Sequence, residues 1–279
     1  MNSGANMKMI EITEKEFQRF ATYIKTNYGI HLKPEKHSLV SGRLNNVMKE
    51  GNFSTLSDYL DYVIADKTGS AASVMLNKIT TNHTFFMREP EHFNYFSDKV
   101  LPYLKATVKN KDLRIWSAAC SSGEEPYTLA MIMDDFFGRE KNFWDTKILA
   151  TDISEKVLGI AQSGIYSSEK VSALPAQWQR KHFTERDGEN LKISDRMRNE
   201  VIFRKFNLID PNFPFKKKFH VIFCRNVMIY FDNKTKTELV QKFYDITERG
   251  GYLFVGHAES LNRDATGYKY VMPAVYRKE

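Results

Sequence analysis

The stretch Leu113-Arg114-Ile115-Trp116-Ser117-Ala118-Ala119-Cys120-Ser121-Ser122-Gly123-Glu124-Glu125-Pro126 decides the fold. Residues 113–118 read as a short buried strand, and 126–137 read as a helix. Every residue from 117 to 123 is small, so the backbone turns tightly and a ligand has close access to it. Ser122 and Glu125 stand at capping-box spacing, and Pro126 suits a first helical turn. Strand, small-residue loop and helix form the opening unit of a parallel sheet, whose ligand sits beyond the carboxyl ends of the strands.

The alternation continues outward. Further strands are expected at 147–151, 201–207, 220–224, 252–256 and a closing segment around 268–276, with helices at 154–163 and 234–248. The fold class is therefore α/β, a Rossmann-like and mostly parallel sheet covered on both faces. Between Gly164 and Val201 the alternation lapses into a polar stretch carrying the hairpin dipeptide Asp187-Gly188. That stretch predicts a small antiparallel β insertion, placed around 178–203. Upstream, residues 1–9 read as a flexible terminus and 10–79 as an all-α helical domain. Thr13 and Glu16 open its first helix, which carries Phe17, Phe20, Ile24 and Tyr28 and ends at Gly29. Pro34 opens a second with Leu39, Leu44 and Val47, Ser54 a third, and a fourth carries Val74, Leu76 and Ile79. Residues 80–112 form a linker and a connecting helix that starts at Pro90 and aligns Phe93, Phe96, Val100 and Leu104; 113–279 form the α/β domain.

Composition excludes several classes. Of 279 residues, 42% are hydrophobic and 27% charged, which is the balance of a globular protein rather than a disordered or collagenous one. No run approaches the ~18 apolar residues of a membrane span, and the first residues lack the apolar core of a signal peptide. Two cysteines, Cys120 and Cys224, make neither a disulfide framework nor a four-ligand zinc site, so a reducing compartment, the cytoplasm, is expected. Scattered histidines show no metal-ligand spacing, and no metal is expected. The +7 net charge suits an anionic partner without naming it.

The strand tips narrow the ligand. The first loop has no G-x-G-x-x-G, and the two acids at its helix start disfavour a phosphate. The second strand ends Thr151-Asp152-Ile153-Ser154, where an acid takes ribose hydroxyls while Ser154 is free to cap the following helix. A small-residue loop with a ribose acid and no phosphate-binding features fits S-adenosylmethionine better than a nicotinamide dinucleotide.

Three long motifs then carry a resemblance. Thr80-Thr81-Asn82-His83-Thr84-Phe85-Phe86-Met87-Arg88-Glu89, the stretch from Trp116 to Tyr127, and Ile222-Phe223-Cys224-Arg225-Asn226-Val227-Met228-Ile229-Tyr230-Phe231 resemble the chemotaxis receptor methyltransferases of the CheR type, in the same order. The resemblance runs from about Thr13 to the C-terminus. It implies transfer of methyl from S-adenosylmethionine to glutamates of transmembrane chemoreceptors, giving methyl esters and S-adenosylhomocysteine. It also implies site residues: Asn82, Thr84 and Arg88 on the segment between domains; Glu125 or its neighbour Glu124 on the first loop; Asp152 on ribose; Asn207 and Leu208 beside adenine; and Cys224, Arg225 and Asn226 at the fourth-strand tip. Arg88 and Tyr230 are assigned positioning roles, Arg88 orienting the substrate or cofactor carboxylate and Tyr230 holding the acceptor beside the transferred methyl. The sequence departs from the usual pattern at His83, at Ala119-Cys120 and at Gly256-His257-Ala258-Glu259, and the loop at Asp187 lacks the glycine-rich tract of members that grip a receptor tether.

The chemistry agrees with these residue types. A glutamate, with a pKa of ~4.3, is already a nucleophilic carboxylate at neutral pH, so alignment matters more than a general base. Lys36 and Arg43, seven residues apart, share an azimuth on the helix from Pro34 and form a candidate docking face for the acidic cytoplasmic helices of a receptor. A monomer is expected, without nucleic acid and without membrane insertion. The alternatives are a methyltransferase for another acceptor such as RNA, against which stands the lack of an aromatic–basic platform, and a cofactor-binding regulatory or scaffold protein without turnover.

Overall fold

A computed structural model describes residues 10–279, except the side chains of residues 185–187 and 263; the expected flexible stretch 1–9 lies outside it. The chain divides into two compact units, residues 1–81 and 82–279.

The first unit is a bundle of four helices: α1 (Glu14–Tyr28), α2 (His37–Glu50), α3 (Leu56–Ala65) and α4 (Ser70–Ile79). Thr13 and Glu16 form the expected capping box, and Gly29 ends α1 in the left-handed region at φ 72°. Phe17, Phe20 and Ile24 of α1, with Val40, Leu44 and Met48 of α2, are fully or almost fully buried. Pro34 does not open α2. Residues Pro34–Lys36 make a separate 3-10 turn, and α2 begins at His37, so Lys36 precedes the helix. Thr55, not Ser54, caps α3. Leu39 and Val74 are exposed rather than core, because α2 and α4 bury the faces marked by Val40/Leu44/Met48 and Ala71/Met75/Ile79, spaced by four.

The second unit opens with α5 (Pro90–Tyr95), a π turn over Phe96–Val100, and α6 (Leu101–Thr107). The π turn has a local cause: Pro102 has no N–H to continue the regular ladder. Phe93, Phe96, Val100 and Leu104 are buried as their spacing predicts. There follow β1 (Ile115–Ala118), α7 (Glu124–Phe137), β2 (Ile148–Asp152), α8 (Glu155–Ser163), β3 (Ile165–Ser167), α9 (Ser168–Ser172), α10 (Ala176–His182), β4 (Phe183–Asp187), β5 (Asn190–Ile193), α11 (Asp195–Arg198), β6 (Val201–Lys205), β7 (Phe219–Cys224), α12 (Asn233–Ile246), β8 (Thr247–Val255), β9 (Lys269–Met272) and β10 (Val275–Arg277). A seven-stranded sheet has the order β6-β2-β1-β7-β8-β10-β9. Its first five strands are parallel, and β10 and β9 run antiparallel at one edge. The closing segment is thus two strands, reversed at Pro273-Ala274 with Ala274 at φ 63°.

The polar insertion is a second sheet, β3-β5-β4. It starts earlier than the expected 178, because β3 pairs with β5 from Ile165, and it stops before Val201, which belongs to the main sheet. Asp134 of α7 fastens it: Arg196 donates to both carboxylate oxygens at 2.6 and 2.9 Å, and Lys181 sits at 2.9 Å. Burial alone would raise the Asp134 carboxyl, but these hydrogen bonds and the Lys141 charge overcome it and hold the group far below the carboxylate range. Among the described residues no helix is long and apolar enough to cross a membrane.

Candidate functional site

From β1 the chain moves to β2 and β6 on one side, then returns to place β7 on the other. The carboxyl ends of β1 and β7 therefore border the crevice expected at such a switch point.

The loop after β1 is built for close approach. Ala119, Ser121 and Gly123 all have positive φ, at 85°, 49° and 96°. The backbone N–H groups of Ala119 and Cys120 both donate to the Thr151 carbonyl at 2.8 Å, which ties the loop to β2. At Gly123 a Cβ would lie 2.8 Å from that of Ala161 and 2.9 Å from the Tyr166 hydroxyl, so only glycine fits. The predicted capping box at Ser122 and Glu125 does not form. Gly123 is the N-cap, so the helix starts at Glu124 and the register of the box is lost. The Ser122 hydroxyl donates to Glu124 instead, at 2.6 Å.

The two neighbouring acids face different ways. Glu124 is fully buried, with Oε1 receiving Lys170 Nζ at 2.6 Å and Oε2 taken by Ser122. Glu125 accepts from the Ser117 hydroxyl at 2.7 Å and from Arg225 Nη1 at 3.0 Å. Glu125 is thus the acid tied to both central strand tips, and Glu124 belongs to the seam with α9.

Asp152 ends β2, and its Oδ2 accepts the Ser121 N–H and its Oδ1 the Ser154 N–H, each at 2.9 Å. Ser154 caps α8 with its own hydroxyl, so Asp152 is not needed there. A carboxylate has about four acceptor sites, and the amides of Ser121, Ser154 and Ile153 do not use all of them, which leaves room for a ligand hydroxyl. Burial pushes the Asp152 carboxyl up, against the lowering pull of those amides. Among the described residues it forms no salt bridge with Lys or Arg.

Arg225 joins the remaining parts. Its side chain is 3% exposed, lies 5.2 Å over the Phe93 ring, and reaches Glu125, Glu89 Oε2 at 3.0 Å and the Arg88 carbonyl. Glu89 Oε1 accepts from Asn226 Nδ2 at 3.0 Å. Burial would raise Glu89, but Asn226 and Arg225 outweigh it and hold the carboxyl below its usual value. Arg225 therefore locks the segment 82–89 to the strand tips rather than offering a free charge. Arg88 is half-buried, and its Nη1 donates to the His83 carbonyl at 2.7 Å, while the acid beside it, Glu89, is spent on Arg225. Tyr230 is half-buried in the 3-10 turn Met228–Tyr230, four residues beyond Asn226.

Other expected residues sit as follows. The Asn82 carbonyl accepts the Ser121 hydroxyl at 3.0 Å, and Thr84 is half-buried on the same segment. Asn207 and Leu208 follow β6, with Leu208 buried and Asn207 Oδ1 accepting the Ile209 N–H. Cys224 ends β7 fully buried, which pushes its thiol well up. In the helical unit, Lys36 is exposed, whereas Arg43 is half-buried and donates to the Ile79 carbonyl at 2.9 Å and to Thr81. The pair expected on one helical face is therefore an exposed lysine ahead of α2 and an arginine bound to the end of α4.

Among the described residues, two clusters place three potential metal donors together, Glu89/His92/His257 and Asp134/Asp135/His182. In each the carboxylates already face cations, Arg225 in one and Lys181 with Arg196 in the other, so a metal ion would meet like charge. Two functional-looking residues escaped the sequence reading. Glu89 stood beside Arg88 in a quoted motif, and Glu259 stood in Gly256-His257-Ala258-Glu259, read only for its departures. A lone acid three residues after a strand-ending glycine was the available signal.

The comparisons agree with this geometry. Residues 82–276 match the family described as CheR methyltransferase, SAM binding domain, and residues 15–80 match CheR methyltransferase, all-alpha domain. The chain is 39% identical over 273 residues to a chemotaxis protein methyltransferase of Borreliella burgdorferi, covering 96% of each chain. It is 35% identical to a probable chemotaxis protein methyltransferase of Rhizobium etli, over 91% of this chain and 99% of that one. It is 32% identical to the chemotaxis protein methyltransferase of Escherichia coli, over 93% and 91%. The α/β unit with its small-residue loop and strand-tip acids, and the helical unit before it, are those of one family: this chain belongs to the CheR methyltransferases, S-adenosylmethionine-dependent enzymes.

Proposed function

We propose that this chain methylates glutamate side chains in the cytoplasmic helices of chemoreceptors, forming methyl esters with S-adenosylhomocysteine as the other product. The observation that carries the reading is the set of strand tips at β1, β2 and β7, where the acid Asp152 stands beside a loop of small residues, with Arg88 on the segment 82–89 and Tyr230 on the turn beyond β7.

The residues fit S-adenosylmethionine on the chemistry of the donors. Asp152 has acceptor capacity left for a ribose hydroxyl, and the left-handed loop 119–123 leaves no bulky side chain in the way. Asn207 and Leu208 would flank the adenine, and Asn82, Thr84, Glu125 and Asn226 would line the remainder. When bound, S-adenosylmethionine supplies an electrophilic methyl on a sulfonium. The acceptor carboxylate is ionised at neutral pH and needs no proton removed. What the protein contributes is alignment, which for a well-oriented reaction is a large share of the barrier. Arg88 orients the acceptor or cofactor carboxylate through a charge-assisted pair, and the Tyr230 hydroxyl holds the acceptor. Arg225 is paired with Glu125 and Glu89, which leaves the positioning roles to Arg88 and Tyr230. The exposed Lys33 and Lys36 of the helical unit supply positive charge for an acidic receptor surface. Incubating the protein with methyl-labelled S-adenosylmethionine and membranes with or without chemoreceptors tests the reading. Label should enter the receptor band; incorporation independent of receptor would refute it.

A further inference from the structure

The loop that carries Tyr230 is held by one buried acid. Glu259, 6% exposed, follows β8, and its carboxylate receives several backbone N–H groups. Those of Gly256 and Asn226 reach Oε2 at 2.6 and 2.8 Å, and that of Ile229 reaches Oε1 at 3.1 Å. The acid thus bridges the end of β8 to the turn beyond β7. Asn226 is in the left-handed region at φ 59°, which asparagine tolerates better than other side chains but which its surroundings must still hold. Glu259 holds its N–H and Glu89 holds its side-chain amide, so the residue is pinned from two sides. The approach is close enough that a Cβ at Gly256 would lie 2.9 Å from the Asn226 nitrogen and 2.9 Å from Glu259 Oε2.

Packing does not replace this anchor. Behind the turn lies a cavity of about 350 Å³ bordered by Met228, Val240, Glu259 and Thr266. A carboxylate suits the task because it accepts only; an amide in its place would turn an N–H₂ toward at least one N–H donor.

We propose that Glu259 is a positioning residue for methyl transfer, its carboxylate fixing the turn 226–230 so that the Tyr230 hydroxyl meets the acceptor. The inference rests on the reading of Tyr230 above. Glu259→Gln loses at least one of these bonds and should lower kcat about tenfold, as a displaced aligning group does, while KM for receptor stays within about twofold. If Glu259 acts through Tyr230, the loss should largely vanish when Glu259→Gln is added to Tyr230→Phe. Gly256→Ala, which pushes Asn226 from the carboxylate without removing it, should reproduce the kcat loss and serves if the glutamine variant does not fold. A Glu259→Gln deficit that is undiminished in the Tyr230→Phe background overturns the proposal, as does a parent-like kcat in both Glu259→Gln and Gly256→Ala. A parent rate for Tyr230→Phe alone would instead refute the reading of Tyr230, so the two failures are told apart.

Discussion

Replacing Asp152 tests the ribose assignment quantitatively. Its oxygens hold the amides of Ser121, Ser154 and Ile153, and the remaining acceptor sites are those offered to the ligand. A hydrogen bond to a charged acceptor contributes about 1.5–3 kcal/mol, so losing the carboxylate should weaken S-adenosylhomocysteine by roughly one to two decades in dissociation constant. Asp152→Asn keeps one acceptor oxygen and should fall short of Asp152→Ala. The alanine also releases the Ser121 N–H, and with it a residue at φ 49° that lies in the floor of the site. Isothermal titration calorimetry at neutral pH measures both, with thermal melts confirming folding. The pH dependence has a definite sign. Burial raises the Asp152 carboxyl in the ligand-free protein, so on acidification the parent should lose affinity at a higher pH than an ordinary carboxylate near ~3.9 would dictate. The variants should lack that step. An unchanged constant in Asp152→Ala would refute the assignment.

Other expectations follow from the same geometry. Arg88→Ala and Tyr230→Phe should lower methylation at saturating S-adenosylmethionine while leaving melting temperature unchanged; parent rates in both would remove their positioning roles. Replacing the exposed Lys33 and Lys36 by Glu should slow receptor methylation at low salt and narrow the gap at high salt, with no change in cofactor affinity; equal rates at low salt would leave these lysines a solvated face. Asp134→Asn should destabilise the fold by about 1–3 kcal/mol, a range kept modest because Arg196 and Lys181 reach solvent. Since the Asp134 carboxyl is depressed in the folded protein, its contribution is complete above the unfolded value near ~3.9 and fades below it, so parent and variant melts should converge in acid.

Much of this was legible in the sequence because the signals were local. The small-residue run after β1 and the acid ending β2 gave the parallel sheet and its crevice, and helical spacing gave Phe93, Phe96, Val100 and Leu104 as core. The misses have non-local causes. Whether Glu124 or Glu125 faces the crevice depended on where α7 begins, and Gly123 moved that point. Arg225 read as a ligand contact, yet its partners Glu125 and Glu89 are distant in sequence and consume its guanidinium. Glu259 was silent for the same reason, since its amide donors on the turn beyond β7, Asn226 and Ile229, lie 33 and 30 residues away. The shared helix expected for Lys36 and Arg43 was lost on a local point, because Pro34 opens a 3-10 turn that ends at Lys36, ahead of the helix that carries Arg43.

The most direct test of the account is the chemical lability of the transferred methyl. After reaction with methyl-labelled S-adenosylmethionine and chemoreceptor membranes, the receptor band is excised and treated with mild alkali, and volatile methanol is collected. An ester of glutamate should release nearly all of its label as methanol, and release should disappear with Asp152→Ala under subsaturating cofactor. Label that stays on the receptor through alkali would place the methyl on nitrogen and contradict the account.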